Sequence, residues 1–276
     1  MKAQLDAKIL TSLMLMVDHE IQKQGVCFAN RSGLFYRSED EFSGIYTYTC
    51  SYKQLSNDTS ISGANVMSGV YLNNNYVSVG QSGLLSINHN DGAINFDHAL
   101  PTNTRISGNF AVKEFAVYLS DQPDYSVVMD TKFHKNPKYS QQATGIAIDT
   151  MVMPAIILVP KEQEARPLAF AGVDDNFMRV RAMVVCENAF QRVGVCNILK
   201  NLKLRNLPIF NNIPFDYLGN MTGVNYNYNN LTFITESLPF IQSAKASQIP
   251  NNGTVSDVTK QFAMVDFDIS AWGSHL

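Results

Sequence analysis

Between residues 42 and 133, short runs of aromatic and β-branched residues alternate with turns rich in Asn, Asp and Gly. About six such runs recur at a spacing of roughly ten residues, which is typical of a small β-sandwich or barrel. The turns Asn73-Asn74-Asn75 and Asn90-Asp91-Gly92 predict two hairpins with exposed tips, and Gly92 is expected to need a positive φ. The run Phe110–Leu119 predicts one long strand, bent midway. Residues 38–133 are therefore predicted to form a β-sandwich-like domain.

An amphipathic helix is predicted before this domain, over Ala3–Gln24, because its apolar residues form a single stripe. Gly25 follows where a left-handed C-terminal cap is expected. Val26–Ala29 and Gly33–Tyr36 then predict a short hairpin. Because a helix with one apolar stripe needs a partner surface, residues 1–37 are predicted to pack on the C-terminal part of the chain.

After the β-rich region the pattern changes. Residues 134–145 break the periodicity and predict a linker, whereas residues 146–276 combine strands with one helix. Asn188 is suited to cap that helix, and Gln191 can return the hydrogen bond as in a capping box. The predicted elements are a strand over Met153–Pro160, a charged loop over Lys161–Pro167, a strand over Phe177–Val185, a helix over Ala189–Leu204, and strands near Asn230–Thr235 and Phe262–Ile269.

Two stretches of this C-terminal part have too little apolar periodicity to predict packing against their own core. They are the Asn-rich segment 206–232 and the closing segment 251–276, which is predicted to be a C-terminal arm, and we expect both to order against neighbouring molecules. In the closing segment, Val265, Phe267 and Ile269 alternate, which favours strand addition to a neighbouring sheet.

The polar surface is built from amides and hydroxyls more than from charges. Charged residues make up 16% of the chain, well below the usual fraction, and there are 26 asparagines. The formal net charge is −3, and the densest basic stretch, Lys200, Lys203 and Arg205, fits a solvated helix face. Because nucleic-acid recognition needs clustered Lys and Arg, specific nucleic-acid binding is not expected.

No metal site, cofactor or membrane segment is predicted. The apolar run Ile9–Val17 is too short to span a bilayer, and charged residues follow it instead of a cleavage site, so a protein kept in the cytosol is expected. His89 and His98 are expected at the turns of a hairpin. The cysteines, which are expected to be buried free thiols without metal-ligand spacing, are Cys27, Cys50, Cys186 and Cys196.

The sequence contains none of the catalytic signatures that we sought, and no enzyme activity is predicted. Gly80-Gln81-Ser82-Gly83 lies between predicted strands, so a turn is favoured over a phosphate-binding loop. Asp174-Asp175 is interpreted as a solvated turn and not as an acid/base pair. Asp266 and Asp268 alternate along a predicted strand, where a solvated edge is favoured over a cation site.

Two stretches resemble known proteins. The first runs from Ser68-Gly69-Val70-Tyr71-Leu72-Asn73 through Ile87–Gly92 to Val112–Leu119, and it resembles the β-domain of virion structural proteins encoded beside the neck genes of marine tailed phages. The second runs from Met183–Gln191 to Leu207-Pro208-Ile209-Phe210, and it is similar to tail-terminator and neck subunits, in which an N-terminal helix packs beside this unit. The resemblance implies an α+β fold, with a β-sandwich-like domain inserted between an N-terminal helix and a terminator-like α+β domain.

The resemblance also implies a structural component of a tailed phage particle, namely a homo-oligomeric ring at the head–tail junction that joins head to tail and lets DNA pass. Six copies are expected, with a twelve-fold neck adaptor as the alternative, and the expected partners are neighbouring neck and tail proteins. The protein would assemble into the virion in the host bacterial cytoplasm. The runner-up is a receptor- or carbohydrate-binding virion protein of the tail that uses the run Tyr226–Asn229. The subunit-contact candidates are Phe210, Tyr226, Tyr228, Val265, Phe267 and Ile269.

Overall fold

The computed structural model of the protein describes residues 5–25, 27–38, 44–133, 152–167, 174–215, 221–234, 239–249 and 260–272. These residues form a mixed α+β structure in which strands predominate, so the predicted fold class is confirmed at this level. The predicted linker at 134–145 lies outside the described residues, as do residues 251–259 and 273–276 of the predicted arm.

Seven strands form one antiparallel sheet. They are β1 (Phe28–Arg37), β2 (Tyr46–Thr49), β3 (Gly69–Leu72), β4 (Asn75–Ser78), β5 (Leu84–Asn88), β6 (Ala93–Phe96) and β7 (Ile106–Lys113). Their order is β4-β3-β7-β1-β2-β6-β5. β1 pairs with β7 over most of its length and with β2 at its end, so it connects two halves of the sheet. Side chains from both halves, among them Phe35, Phe96 and Phe110, pack into one apolar core.

The remaining strands form a second large sheet and a small one. They are β8 (Ala116–Leu119), β9 (Ala155–Pro167), β10 (Asp174–Cys186), β11 (Ile209–Phe210), β12 (Phe233–Ile234), β13 (Phe240–Gln248) and β14 (Gln261–Trp272). The five-stranded sheet has the order β13-β14-β10-β9-β8, and only its β8–β9 pair is parallel. β11 pairs with β12.

Three helices lie on the five-stranded sheet: α1 (Leu5–Gln22), α2 (Asp124–Phe133) and α3 (Ala189–Lys200). α1 and α3 share an apolar core with one face of this sheet, which Val180 and Phe267 line. α2 covers part of the opposite face, where Val127 packs near Met183. α1 is also buried outside its predicted apolar stripe, because Leu15 packs in a second apolar cluster with Phe210 and Tyr226.

Residues 27–36 do not form the predicted hairpin. β1 is one continuous strand, because it pairs with β7 without interruption from Phe28 to Phe35. The predicted long strand at Phe110–Leu119 is divided between the two sheets, since β7 ends at Lys113 and β8 begins at Ala116. The boundaries of the sheets thus differ from the predicted boundaries at 37 and 133, and the division into separately folding domains stays a prediction.

The two predicted hairpin turns are confirmed, but they differ in exposure. Asn73 and Asn74 have φ values of 48° and 72° and form an exposed two-residue turn, for which Asn is well suited. Gly92 has the expected positive φ, 61°, but it is buried and its neighbour Asn90 is half-buried. The tip of the second hairpin is therefore a packed turn, because Asn90 Nδ2 donates to the Met221 carbonyl at 2.8 Å.

The predicted N-terminal cap of α3 is confirmed. The Asn188 side chain accepts from the Gln191 backbone N at 2.9 Å, and the Gln191 side chain accepts in turn from the Glu187 N at 3.2 Å, one residue before the expected donor. The predicted charged loop at Lys161–Pro167 is wrong, because β9 continues through it and stays paired with β10, with one register shift at Lys161. β13 was not predicted.

β14 is an interior strand, and the prediction that its residues form an arm that adds to a neighbouring sheet is wrong. It pairs with β10 along its whole length on one side and with β13 on the other. Its apolar alternation therefore packs against the protein's own helices.

Candidate functional site

A buried polar junction joins α1, β7 and the C-terminal half of the chain. Lys113 Nζ donates to both carboxylate oxygens of Asp18, at 3.1 and 2.9 Å, and both residues are almost fully buried. Gln22 Nε2 donates to Asp18 Oδ2 at 2.8 Å, and Ser56 Oγ donates to Gln22 Oε1 at 2.6 Å. Burial and the nearby Asp18 carboxylate raise the pKa of Tyr226 well above its ordinary value, so the hydroxyl keeps its proton and lies 3.4 Å from Asp18 Oδ2. Each charge thus has a partner that offsets the cost of burial.

A second carboxylate extends the junction. Asp58 Oδ2 lies 2.8 Å from His19 Nδ1, and Asp58 Oδ1 accepts from Ser60 Oγ at 2.6 Å and from the Tyr228 backbone N at 3.1 Å. The His19 ring stacks on Tyr228 with 4.1 Å between ring centroids. Burial alone would raise the pKa of Asp58, but the hydrogen bonds from His19 and Ser60 outweigh it and lower that pKa below its ordinary value.

Ser60, His19 and Asp58 have the residue types of a catalytic triad without its geometry. Ser60 Oγ lies 3.5 Å from His19 Nδ1, the same nitrogen that contacts Asp58, and it also hydrogen-bonds to Asp58. In a triad the serine contacts the other ring nitrogen, so that the imidazole can take its proton. This arrangement therefore ties α1 to residues 56–60 and does not activate Ser60.

His89 lies at the turn between β5 and β6, as expected, but it is buried. Its Nδ1 is 2.8 Å from the Gly223 carbonyl oxygen and its Nε2 is 3.0 Å from that of Met67. A neutral imidazole can donate from only one nitrogen, so only the protonated ring satisfies both carbonyls. Burial lowers the pKa of His89, and the positive charge of Lys113 lowers it further, against the opposing effect of the two carbonyls.

The predicted subunit-contact residues lie inside the molecule. Val265, Phe267 and Ile269 are fully buried, because β14 has a partner strand on both sides and helices across its apolar face. The structure therefore places these three side chains in the protein's own core and not at its surface.

The other three candidates belong to the region around the junction. Phe210 packs in a cluster with Leu15 and Tyr226, and its ring meets that of Tyr228 edge-on. Tyr226 is buried beside the Asp18 carboxylate, and Tyr228 stacks on His19. The Asn-rich segment that carries these residues packs on its own chain through them, contrary to the prediction that it orders against neighbours.

An apolar row on α3 is exposed beside the edge of the five-stranded sheet. Phe190 is 89% exposed and Val193 is 49% exposed, and both project from the same helix face as Gly194, which has open space around it. Arg192 donates to the Gln248 side chain at 3.3 Å and so links α3 to the end of β13. We call the exposed row of α3 and the adjoining outer edge of β13 the α3–β13 surface.

The outer edge of β13 is only partly covered. Residues 204–207 pair with its first residues through the Asn206–Phe240 bridge. From Ser243 to Gln248, no strand among the described residues pairs with this edge. Its side chains there are small, apart from Lys245 and Gln248.

A ladder of ion pairs crosses the five-stranded sheet. Arg181 contacts both carboxylate oxygens of Asp266, at 2.6 and 2.9 Å, and Arg179 donates to Asp268 at 2.8 Å. Burial would raise the pKa of Asp268, but hydrogen bonds from Ser243 and Arg179 lower it. The predicted solvated edge is wrong at these positions, because β14 is interior and its carboxylates are paired across strands. Asp175, predicted in a solvated turn, is the second residue of β10 and accepts from Ser270.

The cysteines are free and buried, as predicted. Burial raises the pKa of Cys50 to about 11 and that of Cys186 to about 12, so both stay as thiols at neutral pH. Within the described ranges, no three or more His, Cys, Asp or Glu side chains are grouped so that they could hold a metal ion. None of the helices in those ranges combines the length and the hydrophobicity needed to cross a membrane.

Comparison with known proteins adds no family. No protein-family model matches the sequence, and no match was found among curated proteins.

Proposed function

We propose that the protein is a structural subunit of a tailed-bacteriophage particle, and that six copies form a closed ring at the head–tail junction through which DNA passes. The location and the number of copies come from the resemblance of residues 183–210 to tail-terminator and neck subunits. The observation that carries assembly is the α3–β13 surface, which combines an exposed apolar row with an uncovered strand edge.

The exposed row on α3 favours a protein contact. Burying a Phe side chain that is otherwise exposed contributes about 2–3 kcal/mol, and Phe190 is almost fully exposed on a helix whose other face is in the core. Gly194 leaves room for a neighbouring backbone to approach closely, because no atom lies within 4 Å of the position that a Cβ would take. An exposed aromatic side chain with an apolar neighbour on the same helix face is suited to a protein contact.

The open part of β13 supplies backbone donors and acceptors beside this row. A strand of another copy can pair with them, and the small side chains around Ala244 and Ala246 do not obstruct its approach. A ring closes when this surface contacts a different surface of the next copy, and each obligate contact should bury more than roughly 2,000 Å².

The charge distribution is suited to a passage for DNA. The formal net charge is −3, and the arginines of β10 are paired with carboxylates of β14. A ring of such subunits would not hold the phosphates of DNA that must slide through it. The alternative of carbohydrate binding at Tyr226–Asn229 loses its basis, since Tyr226 is buried and Tyr228 is stacked on His19.

The test is the mass of the assembled protein, measured by mass photometry on the wild type, on Phe190→Ser and on a control, Tyr125→Ser. Tyr125 is 72% exposed on α2, away from the α3–β13 surface. We expect six-subunit rings for the wild type and the control. The Phe190→Ser ring should dissociate at protein concentrations at least tenfold higher than those at which the wild-type ring dissociates. A monomeric wild type, or equal loss of rings in both variants, would overturn the proposal.

A further inference from the structure

The outward face of the seven-stranded sheet carries tyrosine rings. Residues that pair across antiparallel strands project from the same face of a sheet. Tyr76 of β4 pairs with Tyr71 of β3, and Tyr71 pairs with Ser107 of β7. Ser107 pairs in turn with Leu34 of β1, and Tyr36 projects from the same face two residues further along. We call these five residues the tyrosine face.

The rings of the tyrosine face are accessible and held in place. Tyr36 is 63% exposed and Tyr76 is 51% exposed. The rings of Tyr71 and Tyr76 meet edge-to-face with 5.3 Å between centroids, and the Tyr76 hydroxyl lies 2.9 Å from Ser68 Oγ. Because these contacts already hold the Tyr71 and Tyr76 rings, a ligand that stacks on those two rings loses little affinity to ordering.

Within its seven strands this face carries no exposed charge, and one cation, Arg105, lies at its margin, exposed and in phase with Ser107 just before β7 begins. Of the three charged residues in its seven strands, Arg31 and Arg37 lie in phase with the core residue Phe35, and Lys113 pairs with Asp18 inside the junction. The polar groups that project outward are hydroxyls and amides.

The amides and hydroxyls are oriented by hydrogen bonds to one another. Ser32 Oγ donates to Asn109 Oδ1 at 2.7 Å, which leaves the Asn109 amide NH₂ group free to donate to a ligand. On the other half of the sheet, Thr47 donates to Asn95 at 2.9 Å and Asn95 donates to Ser86 at 3.0 Å. The outward face thus offers aromatic rings together with fixed neutral donors and acceptors.

We propose that the tyrosine face binds a neutral glycan chain. Sugar rings place their C–H faces on aromatic rings, and their hydroxyls both donate to and accept from amides and hydroxyls. An acidic polymer would need several cationic side chains along its path, whereas this face has one, Arg105, at its margin. The row from Tyr76 to Leu34 crosses three strand spacings, or about 14 Å, enough for roughly three sugar rings. This binding activity goes beyond the proposed ring and does not depend on it.

The test is isothermal titration of the full chain with neutral linear hexasaccharides of glucose, mannose, galactose and N-acetylglucosamine, and with a sulfated hexasaccharide for comparison. We expect at least one neutral chain to bind and the sulfated chain to bind at least tenfold more weakly. Tyr76→Ala should weaken binding about tenfold, whereas Tyr76→Phe keeps the ring and should bind as the wild type does.

The control is Tyr125→Ala, which removes an exposed tyrosine of α2 and should leave binding unchanged. Binding of no neutral chain, preference for the sulfated chain, or equal binding by wild type and Tyr76→Ala would each overturn the proposal. The capture of a protein on this face in place of a glycan would overturn it as well. Since Tyr76 is remote from the α3–β13 surface, Tyr76→Ala should assemble normally, so failure here leaves the ring proposal standing.

Discussion

Gly92 should tolerate a side chain poorly, and the structure allows the cost to be divided into two parts. Its φ of 61° lies in the left-handed region, where a residue other than Gly costs about 1–2 kcal/mol. A Cβ atom at this position would also lie 1.9 Å from the Tyr52 carbonyl oxygen and 3.0 Å from Cys50 Sγ. Overpacking of a buried site typically adds about 1–3 kcal/mol. We therefore expect Gly92→Ala to lower the free energy of unfolding by about 3 kcal/mol.

Gly80 provides a matched control in the same half of the molecule. Its φ is also positive, 87°, but no atom lies within 4 Å of the position of its Cβ. Gly80→Ala should carry only the backbone cost, about 1 kcal/mol after the reduced entropy of the unfolded chain is included. The measurement is urea unfolding followed by circular dichroism, with the slope against urea checked for constancy. Equal losses of stability in the two variants would refute the claim that the turn at Gly92 is closely packed.

Two further predictions concern the buried ionisable groups. Lys113→Met should lower the free energy of unfolding by about 3–5 kcal/mol, because it leaves the Asp18 carboxylate buried without its cation. Adding Asp18→Leu to this variant should restore much of the lost stability. A double variant no more stable than Lys113→Met alone would contradict this explanation. Burial holds the pKa of His89 in the folded protein below its ordinary value, so on acidification the unfolded chain takes up the proton first. The contribution of His89 to the free energy of unfolding should therefore be complete above about pH 6.5. It should be lost as the pH falls through the pKa of His89 in the folded protein. His89→Gln should remove part of that decline in urea unfolding at pH 7 and pH 5, and an unchanged decline would show that other groups cause it.

Local sequence signals predicted the elements that depend on local chemistry. The turn at Asn73-Asn74 and the left-handed Gly92 follow from the φ values that two-residue and buried turns require. The Asn188 cap follows from the need of the first helical N–H groups for an acceptor. These features involve residues close in sequence, and the structure has them where the sequence indicates.

Features that depend on contacts between distant residues were not predicted. β9 runs through a charged stretch because Arg179 of β10 pairs across it with Glu162, which a search for apolar alternation cannot detect. β14 is interior because β13 covers it, and β13 itself lacks an apolar pattern since one side of it is exposed. Because β13 was not recognised in the sequence, the alternating residues of β14 were predicted to belong to an arm that orders on a neighbouring molecule.

The buried junction had a signal that could have been used. Asp18 and Gln22 are four residues apart, so both project from one face of α1, opposite the predicted apolar stripe and on the side of Met14 and Leu15. Apolar residues outside the stripe indicate a second buried face, and a carboxylate within that face needs a buried partner, because an isolated buried charge is too costly. Its partner Lys113 lies 95 residues away and could not be identified from spacing.

The most direct test of the central claim is electron cryo-microscopy of the phage particle that incorporates this chain. The proposed function predicts six copies in a closed ring at the head–tail junction, with Phe190 and the outer edge of β13 covered by the next copy. Copies at the distal tail tip or on fibres would contradict the location. A ring in which the α3–β13 surface stays exposed to solvent would contradict the proposed mode of assembly.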